Sequence, residues 1–206
     1  MSLAKLRPEL QEIFPDKGIT ELNPFQLAIL DGLKAGKNYL VEGAEGSGKT
    51  TAIFVSLLQK ITEPGEGSPR AIVVCETDQD AYDLHAKLTP ICRILDLTVD
   101  LAHDRGIMLQ QRNDIFDGTE IIIANAKRLY DLYIQNGFNV SQLKLFILDD
   151  ALSLFKKGYK MQLSRMVESF PKCQHLYFST SFNDRRIEEF LEEFLPITST
   201  IKAIPE

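Results

Sequence analysis

The 206-residue chain has no tryptophan, only three cysteines and only three histidines, and each scarcity removes a class of function. Cys75, Cys92 and Cys173 are odd in number and stand far apart among apolar residues. That spacing excludes a disulfide framework or a zinc cluster and leaves packing as their role. His85, His103 and His175 lack ligand spacing and read as surface or strand-end residues rather than catalysts. No apolar run approaches the ~20 residues of a membrane span, and Met1-Ser2-Leu3-Ala4-Lys5 leads into no signal-peptide stretch, so the expected location is cytoplasmic with no membrane partner. A basic excess is also missing. With 23 Lys and Arg against 29 Asp and Glu, the formal charge of −6 advertises no global nucleic-acid field, and any such binding must be local.

What is present is a core-forming composition. At 44% hydrophobic and 25% charged, the chain reads as one compact domain over residues 1–206, expected as a monomer. Short apolar runs recur at Asn38 to Val41, Ala71 to Cys75, Leu97 to Leu101, Ile121 to Ala124, Leu145 to Leu148 and Leu176 to Phe178, and a short Thr/Ser strand follows Phe194-Leu195-Pro196-Ile197. Runs such as Ile121-Ile122-Ile123 do not alternate, so both faces must be covered, as in parallel sheets between helices. Helical segments are expected at Thr51 to Ile61, Asp78 to Leu88, Met108 to Phe116, Ala126 to Asn136, Ser153 to Phe170 and Asp184 to Phe194. The fold class is therefore α/β: a doubly wound, mainly parallel sheet of about seven strands with helices on both faces. Glu63 to Pro69 is expected to be an exposed, mobile loop.

The most informative segment is Gly43-Ala44-Glu45-Gly46-Ser47-Gly48-Lys49-Thr50, which fits G-x-x-x-x-G-K-[ST] at every fixed position. Its glycines let the backbone curl so that N–H groups face phosphate oxygens, Lys49 supplies charge and Thr50 a hydroxyl for Mg²⁺; Thr51 follows at the start of the helix. The strand before it and the helix after it are the context this phosphate loop requires. In such sheets ligands sit beyond the carboxyl ends of the strands. At one of those ends Asp149-Asp150-Ala151-Leu152 follows Leu145 to Leu148. An acid there either holds Mg²⁺ or caps the next helix.

The order and spacing of these segments resemble the first RecA-like domain of DEAD-box RNA helicases, over nearly the whole chain. Gly18 to Gln26 looks like the end of that family's Q motif within residues 1–36, ahead of a P-loop core at 37–206. The resemblance implies that Gln26 reads adenine, so that ATP with Mg²⁺ is the nucleotide. Ile121 to Leu132 is similar to the family's strand and T-P-G-R-L segment, which puts Arg128 on an RNA-contacting arginine. Asp149 to Leu152 occupies the place of D-E-A-D, Phe178-Ser179-Thr180-Ser181 that of S-A-T, and Gly158-Tyr159 that of a glycine-aromatic pair. Thr77 matches the threonine of P-T-R-E-L-A. Ser179 and Ser181 would then couple nucleotide state to RNA.

Several positions depart from the pattern. Asp150 stands where relatives have the glutamate that orients water, a carboxylate withdrawn by roughly 1.5 Å, one C–C bond. Leu152 replaces the acid that contacts S-A-T, and Asp78 replaces an arginine. Arg105-Gly106 matches the family's glycine pair only in part. Lys127 replaces a glycine and either meets phosphate or faces water. Glu9 stands where relatives stack an aromatic on adenine; Phe14 either substitutes or belongs to the core. The expected function is the ATP-binding half of an RNA helicase, DNA being an open alternative to RNA, with Lys49, Asp149 and Asp150 in the chemistry. Its arginine finger would come from a second RecA-like domain in cis, outside this chain, and the chain alone should turn nucleotide over negligibly. The competing expectation is a decayed helicase-like module that serves as an ATP-gated clamp or scaffold.

Overall fold

The apolar runs do form strands, and all seven lie parallel in one sheet. A computed structural model describes residues 3–65, 67–195 and 198–203. The strands are β1 (Asn38–Glu42), β2 (Ala71–Cys75), β3 (Val99–Ala102), β4 (Ile121–Asn125), β5 (Leu145–Leu148), β6 (Gln174–Ser179) and β7 (Thr198–Lys202), ordered β3-β4-β2-β5-β6-β1-β7. Between them run α1 (Pro8–Asp16), α2 (Pro24–Lys34), α3 (Lys49–Lys60), α4 (Asp78–Ile94), α5 (Met108–Gly118), α6 (Ala126–Ile134), α7 (Ala151–Lys156), α8 (Lys160–Ser169) and α9 (Arg185–Phe194).

Non-alternating strands follow from having a core on each side. In β2, β4 and β5, Ala71, Val73, Ile121, Ile123, Leu145 and Ile147 face one core with α1 to α4. Ile72, Val74, Ile122, Ala124, Phe146 and Leu148 face the other, with α6 to α9. Every one of these residues is fully buried, so truncating Ile123 or Ile147 to alanine costs about 2–5 kcal/mol. Phe14 lies in the first core at 0% exposure, which settles it as packing; Glu9 is exposed. Cys75 and Cys92 are buried and Cys173 half-buried, all as free thiols.

Helix ends differ from the expected ones for local reasons. The single helix expected over Ser153 to Phe170 is two, because Gly158 sits at φ 90° and closes α7 with Gly158 N–H to Phe155 O and Tyr159 N–H to Leu154 O. Conversely, α4 runs through Pro90 to Ile94, and stops where Asp96 turns left-handed at φ 56°. Asn136, at φ 52°, likewise ends α6. The Glu63 to Pro69 loop, of which Glu66 lies outside the described residues, is tied at its base: the Arg70 guanidinium donates to Glu63 O, and Gly65 N–H donates to Glu120 Oε1. Among the described residues no helix is long and apolar enough to cross a membrane.

Candidate functional site

Three loops meet at the carboxyl ends of the central strands: those after β1, β5 and β6, with β6 lying between the other two. After β1 the chain enters Gly43 to Thr50. Gly46 and Gly48 take φ 78° and 92°, which glycine adopts freely and other residues rarely do. Gly43 is needed for space, since a Cβ there would meet Ser47 Oγ at 2.7 Å and Ala203 Cβ at 2.8 Å. Among the described residues the N–H groups of Gly46 and Gly48 have no partner in the chain. The Lys49 ammonium folds over the loop and donates to Gly43 O at 2.7 Å and Ala44 O at 2.6 Å, while the Ser47 hydroxyl donates to Ala44 O at 2.8 Å. Glu45 and Thr50 are exposed on the loop.

Beside the loop stands the N-terminus of α2. Gln26 is buried, with Oε1 accepting from Asn23 N–H at 2.9 Å and Nε2 donating to Gly48 O at 3.1 Å. It borders a cavity of about 380 Å³ whose other walls include Gly18, Ile19, Asn23, Pro24 and Thr51. None of the cavity's lining residues is aromatic.

After β5 the two acids separate in role. Asp149 hangs from Val74 O by its N–H at 2.9 Å. Burial, with Asp80 and Asp150 nearby and only Lys49 opposing, pushes its carboxyl up to about 6. Asp150, not Asp149, is the helix cap: Oδ1 accepts from Ser153 N–H at 3.3 Å and Oδ2 from the Ser153 hydroxyl at 3.0 Å. Ser179, at the end of β6, is fully buried and joins the loops. Its carbonyl accepts from Gly43 N–H at 2.9 Å; its hydroxyl accepts from Leu152 N–H at 3.3 Å, donates to Ser181 O at 2.9 Å and lies 3.4 Å from Asp150 Oδ1. Position 152 thus reaches Ser179 through its main-chain N–H. Ser181 in turn accepts on Oγ from Asn183 N–H at 3.1 Å.

The β2–β3–β4 end of the sheet is built differently. Thr77 caps α4 in a reciprocal box with Asp80, its hydroxyl donating to Asp80 Oδ2 at 2.6 Å. Asp78 accepts from Asn125 Nδ2 and from Asp104 N–H. Burial raises its carboxyl, but those hydrogen bonds, with His103 and Arg105, hold the net value below the ordinary one. Arg128 is buried and donates from Nη2 to Asp104 O at 2.8 Å and Gly106 O at 3.2 Å, anchoring the loop after β3. Lys127 is exposed and pairs with Asp131 at 3.0 Å and Asp104 at 3.4 Å. Lys49, Gln26, Asp149, Asp150 and Ser179 therefore gather at one centre; Thr77 adjoins it, capping α4 with the Asp80 that lies near Asp149, whereas Arg128 lies farther along the sheet and holds a loop. Two residues that motif reading passed over are Asn23 and Ser153. Each stands three positions from its capping partner, a spacing that the sequence does display.

The donor set fits a nucleoside triphosphate with a magnesium ion: free loop N–H groups at a helix N-terminus, an ammonium, a hydroxyl and the adjacent carboxylates of Asp149 and Asp150. Among the described residues there is no group of three or more His, Cys, Asp or Glu that could hold a metal ion.

The family model for DEAD/DEAH box helicases matches residues 23–190. The chain is 27% identical over 182 residues to the ATP-dependent RNA helicase DDX42 of Mus musculus, covering 85% of this chain and 19% of that protein. It is 27% identical over 189 residues to the ATP-dependent RNA helicase RhlB of Sodalis glossinidius, covering 87% and 46%. Among solved structures, a DEAD box protein from the hyperthermophile Methanococcus jannaschii superposes with a TM-score of 0.88 at 20% identity, over 97% of this chain and 54% of that one. The RNA helicase Prp28 from Chaetomium thermophilum, bound to ADP, gives 0.88 at 21% identity, over 100% and 50%. The chain thus spans no more than about half the length of these relatives.

Proposed function

The chain belongs to the DEAD/DEAH box helicase family, and on that premise we propose that it is the Mg-ATP-binding RecA-like half of an ATP-dependent RNA helicase, working with a second RecA-like domain in cis. The observation that carries the reading is the seating of the complete phosphate loop against the Gln26 amide, next to a cavity of about 380 Å³.

Bound Mg-ATP supplies the phosphoryl group to be cleaved. The residues around it have separable tasks. The N–H groups of Gly46 and Gly48 hold phosphate oxygens, helped by the turns of Ala44, Glu45 and Ser47. Lys49, which donates to Gly43 O and Ala44 O, would turn its ammonium to phosphate. Thr50 and Asp149 hold the magnesium ion, and a positive ion beside Asp149 offsets the burial and the acids that raise its carboxyl. Gln26 retains one amide hydrogen and one lone pair after its internal bonds, which suffices for an adenine edge. Gly43 holds the loop close to Ser179.

Asp150 is the water-orienting carboxylate in this reading, and it must leave Ser153 to act. Ser179 and Ser181 transmit that change, since the Ser179 hydroxyl lies beside Asp150 and its carbonyl holds Gly43. At the β2–β4 edge the exposed cation Lys127 is the nearest phosphate contact, with Thr77 and Arg128 shaping the surface for RNA. The protein is proposed to act as a cytoplasmic monomer.

Titration of the chain with a fluorescent ATP analogue tests the site: Lys49→Ala should weaken binding at least tenfold. Undiminished binding would place the nucleotide elsewhere. RNA-stimulated turnover measured on the chain joined to its arginine-bearing second domain separates an active helicase from an ATP-gated clamp.

A further inference from the structure

The capping box at the start of α2 uses only half of each amide that forms it. Gln26 N–H donates to Asn23 Oδ1 at 3.1 Å and Asn23 N–H to Gln26 Oε1 at 2.9 Å, which closes the box through two oxygens. Both NH₂ groups then point away from α2 and into the phosphate loop, Asn23 Nδ2 donating to Ser47 O at 3.2 Å and Gln26 Nε2 to Gly48 O at 3.1 Å. Serine or threonine caps a helix as well as asparagine does, but neither has a nitrogen left over for Ser47. Capping alone therefore does not account for an asparagine at this position.

Peptide planarity gives the second contact a direction. In a trans peptide the carbonyl of one residue and the N–H of the next point opposite ways, so holding Ser47 O toward α2 aims Gly48 N–H away from it, to the loop's inner side. That N–H has no hydrogen-bond partner among the described residues. The fit is close: a Cβ on Gly48 would come within 2.7 Å of Gln26 Nε2 and 3.3 Å of Asn23 Nδ2.

We infer that Asn23 is a positioning residue for phosphate recognition, fixing the Ser47–Gly48 peptide so that Gly48 N–H is aimed before nucleotide arrives. The inference rests on the nucleotide-binding reading above and deepens it. Pre-aimed donors avoid the ordering that a free peptide would undergo on binding, which appears as affinity for the phosphate end of the ligand.

Asn23→Ser keeps the cap and deletes the clamp. Asn23→Asp also keeps the cap, but sets a carboxylate oxygen against Ser47 O. In titrations of the 206-residue chain with a fluorescent ATP analogue and Mg²⁺, Asn23→Ser should bind about three- to tenfold more weakly, the worth of one hydrogen bond, and Asn23→Asp more weakly still. The melting temperature of Asn23→Ser should fall by no more than about 5 °C, the worth of that one bond, since the cap survives. The amide resonance of Gly48 should shift in Asn23→Ser, which releases the Ser47 carbonyl of the same peptide, a readout that a purely capping role leaves unmoved. If Asn23→Ser binds like the parent chain, or if the affinities of the two variants follow their melting temperatures, the inference is overturned and the nucleotide-binding reading stands. If the parent chain fails to bind, or Lys49→Ala binds equally well, that reading falls and takes this one with it.

Discussion

Asp150→Glu restores the length that relatives have at this position, and it tests whether the acid is held by its neighbours. Its carboxylate caps α7 through Ser153 N–H at 3.3 Å and takes the Ser153 hydroxyl at 3.0 Å. A cap is worth about 0.5–2 kcal/mol, and the long N–H contact puts this one near 1. The hydroxyl contact to a half-buried carboxylate adds about 0.5–1 kcal/mol. Glutamate pushes the carboxylate outward by roughly 1.5 Å and caps poorly, so Asp150→Glu should lower stability by about 1.5–2 kcal/mol. For a domain of this size that is a fall of about 3–8 °C in Tm. Ser153→Ala keeps the backbone N–H and should cost only about 0.5–1 kcal/mol. The two changes share one contact, so the double variant should be little worse than Asp150→Glu, with a coupling of about 0.5–1 kcal/mol. Urea unfolding of the two single variants and the double variant is the assay, with Asp150→Asn as a control that still caps. Parent-like stability of Asp150→Glu, or strict additivity, would refute the capping argument.

Asp149, with its carboxyl near 6, takes up protons in the native state more readily than when unfolded. Ionised Asp149 therefore weakens the apo fold above pH 6, an effect that disappears below about pH 4. Asp149→Asn without magnesium should gain about 1–2 kcal/mol in urea melts at pH 7 and nothing near pH 4. Gly48→Ala, forced to φ 92° with its Cβ against two amides, should lose about 2–3 kcal/mol of stability and most nucleotide affinity, measured by melting and titration. Arg128→Met should cost only about 1–2 kcal/mol, because Nε and Nη1 are already buried without hydrogen-bond partners; faster exchange at Asp104 to Gly106 would identify the loop it holds.

Much of the fold was legible because a two-faced parallel sheet leaves uninterrupted apolar runs: the expected limits of Ala71 to Cys75 and Leu145 to Leu148 are the observed ones. Helix ends were less legible. The apolar pattern continues across Gly158, so only its left-handed backbone reveals that α7 and α8 are separate, while α4 runs past the expected end at Leu88 and through Pro90. At the site, the phosphate loop and its acids could be found from residue types alone. What those acids touch could not. Asp150 is spoken for by Ser153, a cap whose spacing is visible but whose competition with catalysis is not. Arg128 is buried by a loop that follows a different strand, a fact of topology and not of local pattern. The contact from position 152 to Ser179 is made by an N–H, which every residue but proline carries.

That last point bears on what substitution can do here. Ser179 reaches position 152 through the main chain, so a substitution at 152 that keeps the amide leaves the link between the phosphate loop and the acid loop in place, although the Leu152 side chain itself packs against the second core. Position 179 has no such latitude. Its carbonyl and its hydroxyl serve different loops, and only a small hydroxylated residue in a fully enclosed space can do both. The link between the two loops therefore runs through a main-chain group on one side and a side chain on the other, and it is at the serine that most substitutions would break it.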